Sequence, residues 1–446
     1  MKKNILKECG INEEFSKTIF DYARFLKALN LCHLYFQVEK WINLVLVNSN
    51  SLNDNKLKHN IIVDITNLLL KLLIENGATL RNLEINCLRS REFKPEIFYV
   101  LGQNEQFLSQ LQYLSLRSLA KIEDNDNDST TTWLKAVAKY TTKISTLDIE
   151  DFCLNYNQQI FHALISVIKS QEQLRVFGIT GTEYLTEFHG MISALESQKN
   201  SLQEVFIDSC AFNEEFEVLK NCKNLEALRI RCYDQELSKL SKILDNKIGN
   251  KISTLEVICS QIYAQPIVSM LEKSGTLLQR LRLDLNGQEY SLVLEALKSF
   301  CPNIIYLDIM NIKFSTQLVE LISDLQKLQF LSLRCYNDDI PDEELKKRVI
   351  RFSEILPLTL QYLSLNTWLG PYTDILLNHC NVPLKKLLIY EINNEKIAKA
   401  LIEFCIRNKT LNYVGVCKYF DLDDNIRKEV EAYVELVPFG QIVGYC

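Results

Sequence analysis

Thirteen copies of one six-residue pattern run through this chain in near-constant register, and that repetition limits the possible folds more than any other feature. The pattern is an apolar residue, two variable residues, an apolar residue, one variable residue and a final apolar one. It reads LRNLEI from Leu80, LQYLSL from Leu111, ISTLDI from Ile144, LRVFGI from Leu174 and LQEVFI from Leu202. LEALRI from Leu225, ISTLEV from Ile252, LQRLRL from Leu278, IIYLDI from Ile304 and LQFLSL from Leu328 follow. LQYLSL from Leu360, LKKLLI from Leu384 and LNYVGV from Leu411 end the series. Successive copies begin 23 to 33 residues apart, most of them 23 to 28. A single copy would carry no information, because short apolar patterns are common. Thirteen in register are very hard to produce by chance.

Each copy predicts a short strand, since its fourth and sixth positions are apolar and their neighbours mostly polar, a period of two. Between copies the period becomes helical. Residues 158–170 carry Ile160, Ala163, Leu164, Val167 and Ile168 on one face, and 235–244, 266–273, 291–299, 316–325, 342–356 and 395–405 repeat the idea. Strand then helix, stacked side by side, predicts an α/β array with a parallel sheet on one wall and helices on the other. The βα crossover makes such an array a right-handed solenoid. The 446 residues would ordinarily suggest about three domains, but a repeat array grows by stacking. The expected organisation is a helical cap over 1–79, an array over 80–418 and a second cap over 419–446. In the first cap, helices are predicted at 14–31, 38–47 and 56–76, the last closed by Gly77. In the second, an amphipathic helix and the apolar QIVGYC are predicted to cover the far end.

The repeat length and LQYLSL-type cores resemble the ribonuclease-inhibitor-like branch of the leucine-rich repeats, which implies a horseshoe with the sheet concave and the helices convex. More closely, the irregular repeats and the Asn-, Lys- and Ile-rich composition resemble the repeat region of fungal F-box/leucine-rich-repeat proteins, and residues 20–34 (FDYARFLKALNLCHL) look like the stretch that follows the F-box there. Residues 1–17 hold neither the Leu-Pro pair nor the amphipathic helix with which an F-box opens. The resemblance implies a substrate receptor of a cullin-type ubiquitin ligase that docks on the cullin adaptor. The same branch holds ribonuclease inhibitors and GTPase-activating proteins, so an enzyme regulator is the alternative. The activating type has a long acidic tail, and EAYVELVPFGQIVGYC from Glu431 is not acidic. In leucine-rich repeats a small residue also turns the chain from strand toward helix. Cys87, Cys232, Cys259 and Cys335 stand at that place, seven after the first apolar position, with Cys210 one further on.

The remaining chemistry is sparse. Five histidines (33, 59, 162, 189 and 379) fall in no HExxH and no Cys/His grouping, and no phosphate-cradling or nucleophile motif occurs. His379–Cys380 is expected to be a helix terminus. Residues 123–132 (EDNDNDSTTT) mimic the start of a calcium loop but lack its sixth-position glycine and twelfth-position carboxylate, which predicts a solvated loop. No catalytic residue, cofactor or metal is therefore expected. The net charge of −6 argues against general affinity for nucleic acid or anionic membrane. Residues 1–10 are charged and polar, unlike a secretion leader. With no CxxC pair, the fourteen cysteines are expected to be reduced thiols in the cytoplasm or nucleus.

The informative surface is the inner wall, where the third, fifth and seventh positions point away from the core. The last five repeats carry Tyr306, Phe330, Tyr362, Lys386 and Tyr413 at the third position. Strands lie about 4.8 Å apart, so these rings are expected to touch, on a wall roughly 55–60 Å long. Arg229, Arg231, Arg280, Arg282, Arg334 and Lys386 outweigh Glu256, Asp284 and Asp308 in the later repeats. Glu84, Asp148, Glu150, Glu204 and Asp208 outweigh Arg117 in the first five. Two readings stay open: the wall residues satisfy one another across strands, or Tyr306, Phe330, Tyr362, Tyr413 and the five arginines face a protein ligand with an acidic and apolar surface.

Overall fold

The computed structural model describes residues 23–46, 55–86, 96–118, 127–152, 158–182, 188–209, 213–232, 251–259, 264–285, 290–337, 340–365, 368–392 and 394–443. They form two units, Met1–Leu225 and Glu226–Cys446. In the first unit, β1 (Ala28–Asn30), β2 (Asn82–Asn86), β3 (Tyr113–Arg117), β4 (Thr146–Phe152), β5 (Val176–Gly181) and β6 (Glu204–Asp208) pair in chain order, every pair parallel. The second unit repeats the arrangement with β7 (Ala227–Cys232), β8 (Thr254–Cys259), β9 (Arg280–Asp284), β10 (Tyr306–Lys313) and β11 (Phe330–Tyr336). It continues with β12 (Tyr362–Ser364), β13 (Lys386–Ile389), β14 (Tyr413–Val416) and β15 (Glu435–Pro438). All thirteen pattern copies are strands.

Residues at the fourth and sixth pattern positions make the core. Leu114, Leu116, Leu228, Ile230, Leu307, Ile309, Leu331 and Leu333 are all fully buried. Each contributes about 1.5–3 kcal/mol of apolar burial, an upper figure because the unfolded chain already hides some of that area. Against them pack the apolar faces of the intervening helices, among them Gln158–Ser170, Ala264–Ser274, Tyr290–Phe300, Thr316–Asp324, Asp342–Ile355 and Glu395–Arg407. The helix predicted over 235–244 lies outside the described residues. Where the copies are only 23 residues apart, from Leu202 to Leu225, the connection shrinks to the 3-10 helix Glu214–Asn221.

Three local expectations are corrected. Over 14–31, described from residue 23, the chain forms a 3-10 turn (Ala23–Phe25) and then β1 rather than helix. A three-residue strand with one inward side chain, Leu29, shows no period, and its pairing partner Leu83 lies 54 residues away. Residues 123–132 are not all loop, because the helix Asn127–Tyr140 begins within them and buries Thr130 and Thr131. Finally, Cys335 does not turn the chain out of its strand, and in other repeats a polar residue does so (Cys87 and Cys210 lie outside the described residues). Ser118, Asp151, Ser209 and Asn311, each seven places after the first apolar residue of its repeat, hold φ of 56°, 55°, 54° and 55°. Short polar side chains tolerate this left-handed backbone. Cys232 and Cys259 end their strands, and β11 continues through Cys335. Gly77, by contrast, closes the helix Asn55–Glu75 with φ +79° as the sequence predicts.

Two buried glutamines bolt successive turns of the first unit together. Gln171 donates from Nε2 to the Thr141 and Val167 carbonyls (3.0 and 2.8 Å) and accepts from the Ile144 amide (2.9 Å). One repeat on, Gln198 donates to the carbonyls of Ile168 and Gln171 (3.0 and 2.8 Å) and accepts from the Leu174 amide (3.2 Å). Gln171→Leu would remove the side-chain partners of the Ile144 amide and the Thr141 carbonyl, while the Val167 carbonyl still accepts from Ser170 Oγ. It should cost about 1–3 kcal/mol in urea denaturation, and a change under about 0.3 kcal/mol would show that the network contributes nothing.

Candidate protein-recognition face

The side of each sheet turned away from the helices carries the polar and aromatic positions, and in the second unit these align into two rows. The outer row begins at Arg280 and passes through Tyr306, Phe330, Tyr362, Lys386 and Tyr413, each residue paired in register with the next. Parallel pairing forces these side chains side by side, and three of them stack. The Tyr306 and Phe330 rings lie 4.0 Å apart at 12°, and Phe330 and Tyr362 lie 4.0 Å apart at 8°. The Arg280 guanidinium covers the other face of Tyr306, 4.3 Å from its centroid. A planar cation on a ring face adds about 0.5–1 kcal/mol at an exposed site. The result is a four-member column over four adjacent strands. Tyr306 and Phe330 are half-buried, and Tyr413, beyond Lys386, is exposed.

Tyr362 departs from the exposed position expected for it: it is only 6% accessible. Phe330 covers one face of the ring, and the C-terminal segment covers more. Tyr362, Leu388, Val437 and Ile442 form one buried cluster, with Phe330 and Phe439 packed against it. The tail therefore lies on the sheet's open face, where the sequence suggested only a plug for the end of the array.

The inner row resolves the arginines. Arg229, Glu256, Arg282, Asp308 and Ser332 follow one another in register, a ladder of alternating charge. Arg231 Nε lies 2.8 Å from Glu256 Oε1, while Arg282 reaches both Glu256 (3.4 Å) and Asp308 (3.1 Å). For Arg231 and Arg282 the cross-strand reading holds, because Glu256 and Asp308 are buried at 7% and 6% accessibility and need counter-charges. Burial raises the Asp308 carboxyl above the ordinary carboxylate range although Arg282 and Arg334 pull it down. That leaves Arg280 on the aromatic column and Arg334, which is exposed, as cations turned outward. Sequence alone could not divide the five, since the division depends on which carboxylate sits one strand over.

The first unit's open face is acidic. Asp148 lies against Gly178 on the next strand, where an added Cβ would come within 2.5 Å of its Oδ1. Burial first, and then the neighbouring Glu150, push its carboxyl up to about 6. A folded-state value above the ordinary 3.8 means protonation favours the fold. That stabilisation is complete below about pH 4 and is lost as pH rises through 6. Asp148→Asn should therefore raise stability at pH 7.5 by about 1 kcal/mol, a figure reduced for solvent screening, and the gain should vanish near pH 4. An equal effect at both pH values would refute it.

Other candidate chemistry stays apart. His379 is the last residue of the helix Thr373–His379 with Cys380 as its cap, as expected. Among the described residues no three His, Cys, Asp or Glu side chains converge as a metal set, and no helix is long and apolar enough to cross a membrane. Cys32, Cys222, Cys301, Cys335, Cys380, Cys405 and Cys417 are free thiols, and burial pushes Cys222 and Cys301 up to about 12.

No family model matches the chain, and no curated protein matches it in sequence. Among solved structures, yeast Rad7 in its complex with Elc1 is similar over 92% of this chain and 97% of its own, with a TM-score of 0.51 and 16% identity. The leucine-rich repeat-containing protein LegL7 from Legionella pneumophila matches 74% of this chain and 93% of its own (TM-score 0.35, 14% identity). A leucine-rich-repeat protein of Leptospira interrogans matches 82% and 97% (TM-score 0.30, 12% identity). Thirteen repeated strands, parallel within each unit and alternating with helices, together with the likeness in fold to Rad7 over nearly the whole chain, give this chain the leucine-rich-repeat fold.

Proposed function

We propose that the chain is a protein-recognition scaffold and that the open face of its second unit holds a segment of a protein ligand. The column Arg280–Tyr306–Phe330–Tyr362 carries this reading. Half-buried rings in register over adjacent strands present apolar edges to solvent, and Tyr and Arg are the residues that most often anchor protein interfaces. Tyr413 extends the row, and Arg334 supplies an outward charge below it. Arg229, Arg231 and Arg282 belong to the ladder that holds the floor in shape. The role proposed is binding, not catalysis. A ligand captured by the chain should be lost from the Tyr306→Ala/Phe330→Ala variant and kept by Leu292→Ala, which alters an exposed side chain of the helix Tyr290–Phe300. Retention by the double variant would place the ligand elsewhere.

The finer reading is a substrate receptor of a cullin-type ubiquitin ligase, with a second partner, the ligase adaptor. Its support is the likeness in fold to Rad7, which was solved as a complex with Elc1. Purified chain and a cullin-ligase adaptor subunit should co-elute as a stoichiometric complex at micromolar concentration. Separate elution would remove the ligase reading and leave the recognition reading standing.

A further inference from the structure

The C-terminal segment already occupies part of the face proposed for the ligand, and its contacts define a seat. After β15 the chain crosses Pro438 into a short helix, Phe439–Val443, which packs on β13, β14 and β15. Ile442 is 3% accessible. It sits over Gly415, where an added Cβ would meet the Ile442 Cδ1 at 2.9 Å and the Leu388 Cδ1 at 2.5 Å. Gly415 therefore leaves a notch in the floor between the columns of β13 and β15, and Ile442 fills it. Phe439, three residues earlier and on the same helical face, packs against the buried cluster of Tyr362, Leu388, Val437 and Ile442, while Gly440 and Gln441 between them are exposed. The segment thus makes two apolar contacts with the face, Ile442 in the notch and Phe439 against the cluster that includes Tyr362, the buried end of the aromatic column. It is too short to form a stable helix by itself.

We propose that this segment is an occupant in cis of the ligand's seat. The ligand is then a peptide segment with an aromatic residue and an aliphatic residue three positions later, which displaces the tail and continues along the column toward Tyr306 and Arg280. The proposal rests on the recognition reading and adds the chemistry of the ligand and the competition. Continuity carries it: the column runs unbroken from Tyr362, which shares a buried cluster with Val437 and Ile442, to the half-buried Phe330 and Tyr306, so a segment on the exposed part leads to the tail's cluster. Arg280, exposed at the far end, favours an acidic residue at the ligand's other terminus.

The test uses the full chain and a blocked, fluorescent peptide spanning residues 437–443 (VPFGQIV). Ile442→Asp should expel the tail and bind the peptide at least tenfold more tightly than the wild type does, judged by anisotropy. Ile442→Asp/Gly415→Val, with the notch filled, should lose that binding, and a peptide with Phe439→Ala and Ile442→Ala should not bind. Circular dichroism of each variant verifies the fold, and a chain ending at Pro438 provides a second route to the vacated seat. Equal binding to wild type and to folded Ile442→Asp, or binding to neither, overturns the proposal. A protein ligand that still needs Tyr306 and Phe330 in that case leaves the recognition reading intact.

Discussion

Leu331→Ala is expected to destabilise the chain by about 2–5 kcal/mol, read as a lower denaturant midpoint for the second unit. Leu331 is fully buried and stands in register between Leu307 and Leu363 on the neighbouring strands. The space it vacates is bounded on both sides by strands held in a parallel ladder, which cannot close over a cavity without breaking hydrogen bonds. The loss should therefore approach the upper end of that range. A loss below about half a kcal/mol would mean that the strand's inward and outward positions are exchanged. Because strand periodicity is two, that single error would reverse the burial of every side chain in β11.

The second large effect concerns binding. Tyr306→Ala/Phe330→Ala should cost a protein ligand more than about 2 kcal/mol, roughly a thirtyfold rise in Kd. The melting temperature should fall by only a few degrees, since each ring pair contributes about 0.5–1.5 kcal/mol beyond its burial. Titration calorimetry and thermal unfolding of the same two proteins separate the effects. Unchanged affinity would move the ligand off this face. Arg231→Ala should show the opposite balance. It removes the closest counter-charge of the buried Glu256 and so acts on stability more than on affinity.

Much of this molecule was legible because a repeat makes one physical argument thirteen times over. The inward positions, the strands that carry them and the intervening helices at 158–170 and 395–405 all follow from two periods and the need to bury apolar faces. The lateral alignment of Tyr306, Phe330 and Tyr362 was legible for the same reason: parallel strands in register place like positions side by side. The two strands that escaped, β1 and β15, belong to no repeat and owe their conformation to the neighbour they pair with. The left-handed exits at Ser118, Asp151, Ser209 and Asn311 were missed because backbone geometry at one position leaves no period to read.

What the sequence determined by itself is thus everything local and repeated: the alternation of strand and helix, the leucine core and the set of residues turned outward. Only the tertiary structure decided what those outward residues meet. Arg282 and Arg231 hold buried carboxylates on adjacent strands, Arg280 lies on a tyrosine ring, and Tyr362 shares a buried cluster with Ile442, 80 residues further along the chain. Such partners are set by distances across the sheet and by where the tail returns, not by spacing along the chain. A charge or a ring has the same periodicity whether its neighbour satisfies it or a ligand must.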